Sequence, residues 1–173
     1  MKKSIILGLA LVSGSFLLNS CDPWEDDSYQ EETGLTSLVG NWKLTAMTIA
    51  EPYDINGDGN STTDFMAETA CYQNELLAFS PNQTGISTSN SYANLTLTDE
   101  GITSECFEEI ETTPFTWVQN LNTVTMTSEG ASFNATLTEN TLTFTVTNGF
   151  VASEDEENGE TIEKDLTFVY TKQ

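Results

Sequence analysis

The chain has 173 residues, of which 27 are acidic and only five are lysine or arginine, so its formal net charge at pH 7 is −22. That length suffices for one domain and hardly for two. Histidine and arginine are both absent from the sequence. Their absence excludes Ser-His and Cys-His nucleophile pairs, zinc sites built on histidine, and guanidinium clamps for phosphate. The acidic charge disfavours binding to DNA, RNA and anionic lipid headgroups.

The first twenty residues have the pattern of a lipoprotein signal peptide. A lysine pair directly after Met1 precedes an apolar run, Ile5–Leu18. This is the order of a secretory signal, and the run is shorter than the ~20 residues of a transmembrane helix. The sequence Leu-Asn-Ser-Cys that ends at Cys21 resembles the box that lipoprotein signal peptidase cuts. We therefore predict a lipid on Cys21; an ordinary secretory signal with an incidental cysteine is the alternative.

Residues 21–34 are predicted to form a flexible tether between the lipid and the domain. The segment is acidic and has too little apolar content to pack a core. Its acidic cluster resembles the export signal of surface lipoproteins in some Gram-negative bacteria, and a solvated spacer is the compatible alternative. Loss of Lys2 and Lys3 with the signal lowers the net charge from −22 to −24. The predicted location is the outer membrane, anchored by lipid and at the cell surface.

From residue 42 onward most segments alternate apolar and polar residues, with threonine on the polar side. This alternation is typical of antiparallel strands with one buried face. The predicted strands are 42–46, 76–79, 93–98, 115–117, 123–127, 131–138, 141–147 and 166–171. About eight strands with few helices predict an all-β fold over residues 35–173, either a closed barrel or a sandwich. The acidic segment Gly149–Glu163 is predicted to be a solvated hairpin loop or a widened hairpin end.

Two cysteines, Cys71 and Cys106, remain besides Cys21. A pair of cysteines in an oxidising compartment indicates one disulfide, which would close a loop of roughly 35 residues. Two buried thiols are the alternative interpretation.

A loop rich in Asp, Asn and Gly follows the first predicted strand. Side-chain oxygens at alternate positions before Gly59 match the order of a calcium loop. The predicted ligands are Asp54, Asn56, Asp58, Asn60 and Asp64. The twelfth position, normally Glu, is Phe65, which begins a short helix predicted to extend to about Gln73. The alternative is a metal-free turn in which Asp64 caps that helix. A bound calcium ion would have a structural role.

The start of the first strand resembles the Gly-x-Trp entry motif of lipocalins. More closely, the order of motifs is similar to the lipocalin-like domain of Gram-negative outer-membrane lipoproteins. The matching residues are Gly40, Trp42, Asp54–Asp58, Cys71, Leu77, Phe79, Gly85 and Cys106. The resemblance covers roughly residues 35–172 and implies an antiparallel up-and-down barrel of about eight strands with one short helix, in which Trp42 plugs the closed end. Many lipocalins place a basic residue against this Trp, and Lys164 or Lys172 could take that place.

An eight-stranded barrel can hold one small apolar ligand. The inward-facing aromatic residues that would line or fill it are Trp42, Phe79, Phe115, Trp117, Phe133, Phe144, Phe168 and Tyr170. The alternative is a filled barrel with a structural or interaction role among envelope proteins. No carboxylate pair is singled out by its placement, so we predict that the protein is not an enzyme; carboxylate-based hydrolysis is the third hypothesis.

Overall fold

A computed structural model of the chain describes residues 37–154 and 159–173. The predicted signal peptide, Cys21 and the tether lie outside the described residues. Nine strands and one helix follow each other along the chain. They are β1 (Gly40–Tyr53), β2 (Thr62–Asp64), α1 (Phe65–Glu68), β3 (Leu76–Phe79), β4 (Thr84–Thr98), β5 (Gly101–Asn120), β6 (Thr123–Ser128), β7 (Ala131–Thr138), β8 (Thr141–Ser153) and β9 (Thr161–Lys172).

The strands close into an antiparallel barrel of eight strands. β1 pairs with β3, and each strand from β3 to β8 pairs with the strand that follows it. β9 then pairs back with β1. The closing ladder extends from Trp42 opposite Lys172 to Ile49 opposite Leu166. The short strand β2 pairs with the far end of β1 and stands outside the closed ring. The predicted all-β barrel with one short helix is therefore confirmed.

Trp42 fills the end of the barrel where β1 begins. Its side chain is completely buried, and its Nε1 donates a hydrogen bond to the Leu38 carbonyl at 2.8 Å. Phe79 meets it edge-to-face at 6.3 Å between ring centroids, and Lys172 Nζ lies 5.7 Å from the indole centroid. Lys164, the other lysine considered for this place, pairs instead with Glu51 at 2.8 Å. This end of the barrel is closed by packing.

Gly85 on β4 is required by the close approach of β5 and β3. A Cβ atom there would overlap the Phe115 ring and lie 2.7 Å from the Ala78 carbonyl oxygen. Real Cβ atoms do not come so near backbone oxygen, so a larger residue would push β4 away from its neighbours.

The β8–β9 hairpin corrects one of the two interpretations of Gly149–Glu163. The segment is no solvated loop, because β8 continues to Ser153 and β9 already begins at Thr161. Phe150 and Ala152 are fully buried. The Phe150 ring stacks on Tyr53 at 5.4 Å and meets Phe65 edge-to-face at 5.7 Å. A widened hairpin end is the correct interpretation for the described part; residues 155–158 lie outside it.

This hairpin end packs against the far half of the β4–β5 hairpin. A parallel bridge joins Thr96 to Ser153. Leu95 and Ile102 belong to the same buried cluster as Phe150. The ends of the two long hairpins therefore meet and extend the same buried core.

The helix is shorter than the sequence indicated. α1 ends at Glu68 rather than near Gln73, and Thr69 is already extended. Cys71, completely buried, pairs with Cys106 at disulfide distance, with Cα atoms 5.6 Å apart, as predicted. Tyr72 then adopts a positive φ of 65°. The chain therefore leaves the helix after one turn, and Cys71 reaches its partner on β5.

No helix among the described residues is long and apolar enough to cross a membrane.

Candidate functional site

A cavity of about 280 Å³ lies inside the barrel, above the packed end. Seven of the eight barrel strands contribute to its wall. The lining residues are Leu77, Ser87, Thr113, Phe115, Met126, Ser128, Phe133, Phe144 and Tyr170. These side chains reach the interior because alternate residues of a strand point to opposite faces of the sheet. Of these nine residues four are aromatic, two are aliphatic and three are serine or threonine.

The eight aromatic residues predicted to face inward divide into two groups. Phe115, Phe133, Phe144 and Tyr170 line the cavity. The remaining four are packed among other side chains and do not line it. Trp42, Phe79 and Trp117 fill the closed end, where Phe79 meets Trp117 edge-to-face at 5.8 Å. Phe168 lies beside the cavity wall, stacked on Phe144 at 5.0 Å.

The barrel wall opens between β7 and β8. The ladder between these strands is limited to the three pairs from Thr136–Thr143 to Thr138–Thr141. Above them β7 has no hydrogen-bonded partner on β8, and the Phe133 and Phe144 rings face each other across the gap at 5.2 Å. Phe133 lines the cavity and is also 40% exposed. This pair therefore stands between the cavity and solvent.

The residues that line the cavity include no lysine and no acidic residue, and the buried acid Glu75 lies directly before β3. Glu75, only 5% exposed, accepts hydrogen bonds from the Asn90 backbone N–H at 3.0 and 3.2 Å. Burial, and secondarily the negative charge of Glu75, raise the pKa of the Tyr170 hydroxyl above its ordinary range. Tyr170 is therefore a neutral hydroxyl at the cavity wall.

The raised pKa of Tyr170 makes stability depend on alkaline pH. A tyrosine whose folded-state pKa exceeds its unfolded value of about 10 stabilises the fold below pH 10, and this contribution is lost as pH rises from there toward the folded-state pKa. We expect the free energy of unfolding to fall above about pH 10, and to fall less in Tyr170→Phe. Urea titrations at pH 8 and pH 11 measure this difference. Phe144→Leu, which changes the same wall without removing a hydroxyl, should keep the wild-type pH dependence, and an equal pH dependence in Tyr170→Phe would contradict the assignment.

The predicted calcium loop is held by its own hydrogen bonds. The Asp54 carboxylate accepts from the backbone N–H groups of Asp58 at 3.1 Å and Gly59 at 2.9 Å. Asn56 Oδ1 accepts from Asp58 N–H at 2.9 Å, and Asp58 Oδ1 accepts from Asn60 N–H at 2.8 Å. Within residues 37–154 and 159–173, no three Asp, Glu, His or Cys side chains form a group that could hold a metal ion as arranged.

Asp64 lies apart from that loop and caps α1. Its Oδ1 accepts from the backbone N–H groups of Met66 at 3.1 Å and Ala67 at 3.2 Å. These are donors that a helix start leaves free. The sequence offered this capping role as its alternative, and it is the role seen here.

Glu68 is the residue of this region that the sequence did not mark as a ligand. It is 1% exposed, and its Oε2 accepts from the backbone N–H groups of Ile55 at 3.0 Å and Asn56 at 3.3 Å. Its Oε1 is buried without a hydrogen-bond partner. Its position in the sequence could have indicated this role. Glu68 lies four residues after the helix cap Asp64, and its side chain therefore points toward the loop that precedes the helix.

A larger cleft of about 440 Å³ lies on the outside, beside Cys106. Its lining includes Asn74, Asn90, Ser91 and Glu108, and it contains no aromatic ring. Small-molecule sites are usually apolar with a few placed polar groups. The smaller aromatic cavity fits that description better than this polar cleft.

Comparison of the chain with protein-family models, with curated proteins and with solved structures found no match.

Proposed function

We propose that this protein is a lipid-anchored lipoprotein of the bacterial cell envelope, of the lipocalin-like kind, whose barrel binds one small and largely apolar molecule. The anchor is supported by the signal pattern that ends at Cys21. Binding is supported by one observation above others, the aromatic cavity inside the barrel.

The size and wall of the cavity limit the ligand. Its volume of about 280 Å³ is just below the roughly 300–1,000 Å³ of usual small-molecule sites. A ligand about the size of one aromatic ring with a short substituent therefore fits, and a long acyl chain does not fit wholly inside. The Phe115, Phe144 and Tyr170 rings supply apolar contact, while Ser87 and Thr113 offer hydroxyl groups for a polar atom.

The binding proposal predicts that one bulky residue in the cavity wall abolishes uptake of an apolar probe. In the mature chain carrying Cys21→Ser to prevent lipidation, toluene, an apolar probe of one ring, should bind measurably in calorimetry. Thr113→Trp places a large ring in the cavity, and we expect it to weaken binding by about tenfold or more, roughly 1.4 kcal/mol. Thr112→Trp is the matched control, because Thr112 precedes it on β5 and is exposed. Equal binding by both variants would remove the proposal.

An interaction role at the membrane surface is the second candidate function. Its supporting observation is the outer side of the β4–β5 hairpin, where Phe107 stacks on Tyr92 at 5.3 Å and both side chains are exposed. Exposed apolar groups that lie together can mark protein contacts. Crosslinking in intact cells tests this role: an envelope protein should be captured by the wild type and lost in Phe107→Ser. Equal capture by both, or none by either, would reject this surface.

We also propose that one calcium ion binds the 54–64 loop and has a structural role. Supporting it are the oxygen-rich loop sequence and the unpartnered Oε1 of Glu68, because a buried carboxylate without a positive partner is costly and a cation would compensate it. The hydrogen bonds of Asp54 and Asp58 described above would have to rearrange around the ion. Asn56 and Asn60 could add amide oxygens.

Calcium is therefore expected to raise the melting temperature. At a concentration ten times Kd the stabilisation is about 1.4 kcal/mol, or roughly 3–6 °C for a domain of this size. Asp58→Ala, in the exposed loop, should lose the shift, and Asp99→Ala in the β4–β5 turn should keep it. No shift in the wild type at millimolar calcium would leave the metal-free turn as the correct interpretation.

A further inference from the structure

We infer that the ligand of the barrel cavity is an organic cation, an amine or quaternary ammonium on a body of about one ring. This inference rests on the proposed binding function and specifies the chemical class that the same cavity takes. It is carried by three features of the described residues: aromatic rings at and beside the wall, a buried acid, and the placement of the lysines away from both.

The aromatic wall is the first feature. Phe144 stacks on Phe168 at 5.0 Å and lies nearly parallel to Tyr170 at 6.0 Å, while Phe133 meets it at a tilt across the gap. The face of an aromatic ring carries negative electrostatic potential and attracts a cation within about 6 Å of the centroid. Several rings around one small space form the kind of surface that holds ammonium groups.

The second feature is Glu75, a buried carboxylate close to that wall. Its side chain accepts hydrogen bonds from the backbone N–H of Asn90. Its backbone carbonyl accepts from the Leu44 N–H at 3.0 Å, and Leu44 pairs with Tyr170 in the β1–β9 ladder, so Glu75 and Tyr170 flank the same buried residue. A buried negative charge is costly unless it is paired. A cation in the cavity would meet this requirement, whereas a carboxylate would add a second negative charge to it.

The third feature is the placement of the basic side chains. Lys164 is paired with Glu51 on the outside, and Lys172 covers Trp42 at the closed end. Lys43 lies on β1 between Trp42 and Leu44, both buried, so strand alternation turns it outward. None of the three lysines of the described domain therefore faces the cavity, and a bound anion would have no counter-charge from them.

The test compares three probes of one shape that differ in charge: 2-phenylethylamine, 2-phenylethanol and 3-phenylpropionate. Calorimetry is carried out on the mature Cys21→Ser chain in 150 mM salt, which screens exposed charges beyond about 8 Å. We expect the amine to bind about tenfold more tightly than the alcohol, from cation–π contacts in a desolvated site, and the carboxylate not to bind measurably.

Variants separate the cavity from the acidic surface. Glu75→Gln should bring the amine close to the alcohol in affinity, while Glu100→Gln, which removes one exposed charge in the β4–β5 turn, should leave the preference unchanged. If Glu75→Gln does not fold, Phe133→Ala at the half-open wall should weaken amine binding several-fold, and Phe107→Ala on the outer side should not.

The outcomes distinguish this inference from the proposed function. If alcohol and amine bind equally, or if the carboxylate binds best, the charge preference is overturned and the apolar binding site stands. If the amine binds equally well to Phe133→Ala and Glu75→Gln, it binds the acidic surface, and the inference is overturned. If none of the three probes binds and toluene also fails, the binding function itself is rejected.

Discussion

Replacement of Trp42 by alanine is expected to lower the free energy of unfolding by about 3–5 kcal/mol. The indole is fully buried at the closed end, so its removal leaves a large cavity among rings that cannot collapse together. The change also leaves the Leu38 carbonyl without its donor and removes the ring beneath Lys172. Urea unfolding followed by far-UV circular dichroism measures the loss.

Two variants show where that loss comes from. Trp42→Phe keeps a ring and removes the N–H donor, so we expect a smaller loss of roughly 1–3 kcal/mol. Trp24→Ala, in the segment that the sequence predicts to be a tether, should change the stability by less than about 0.5 kcal/mol. A loss below about 1 kcal/mol in Trp42→Ala would contradict the role of this residue in closing the barrel.

Strand alternation made most of the barrel readable from the sequence. Threonine on one side and Val, Leu or Phe on the other marks β6, β7 and the first half of β8, and their ladders follow in that order. This pattern is local, because in a strand with one exposed face the odd and even positions point to opposite sides, so position alone decides which residues are buried. Closure of β9 on β1 is a long-range pairing, which here was implied by the resemblance carried by Gly40 and Trp42.

The burial of Phe150 was missed although it obeys the strand alternation. Phe150 and Ala152 share the even numbering of buried Leu142, but exposed residues separate them from it. The register shift between Val146 and Phe150 adds two residues to β8, which preserves the alternation. The acidic residues after Ser153 added to the impression of a solvated loop. The burial of Phe150 depends on Tyr53 and Phe65, which are distant in sequence.

The sequence could not separate core aromatics from cavity aromatics. Trp117 and Phe115 have the same parity on β5, yet Trp117 belongs to the filled end and Phe115 also faces the cavity. Whether an aromatic residue packs in the closed end or lines the cavity depends on its position along the barrel axis. It also depends on the short β7–β8 ladder, which has only three residue pairs. Glu68 was missed as a site residue for a related reason. Its burial depends on tertiary contacts with the backbone N–H groups of Ile55 and Asn56, and no local sequence pattern indicates such contacts.

Removal of the disulfide is the second change with a large expected effect. The Cys71–Cys106 pair spans a sequence separation of 35 residues, and on the chain-entropy scale such a link is worth about 3–4 kcal/mol. We expect the double variant Cys71→Ala/Cys106→Ala to lose that much stability in urea titrations. Reductant should lower the wild type to the same level and leave the double variant unchanged. Alkylation of both cysteines in unreduced, unfolded protein would show that no disulfide forms.

Removal of the disulfide should increase local unfolding most strongly near Glu75 and least at the closed end of the barrel. The disulfide holds Cys71, and the segment after it then meets β4: Tyr72 N–H donates to Ser91 Oγ at 2.8 Å, and Asn90 N–H donates to Glu75. Trp42 has no contact with this link. Hydrogen exchange in the reduced protein should therefore rise in β4 near Asn90 before it rises in the β1 start, and the amine preference of the cavity should fall with it. Uniform exchange across the barrel would show that the disulfide stabilises the whole chain equally, through the unfolded state alone.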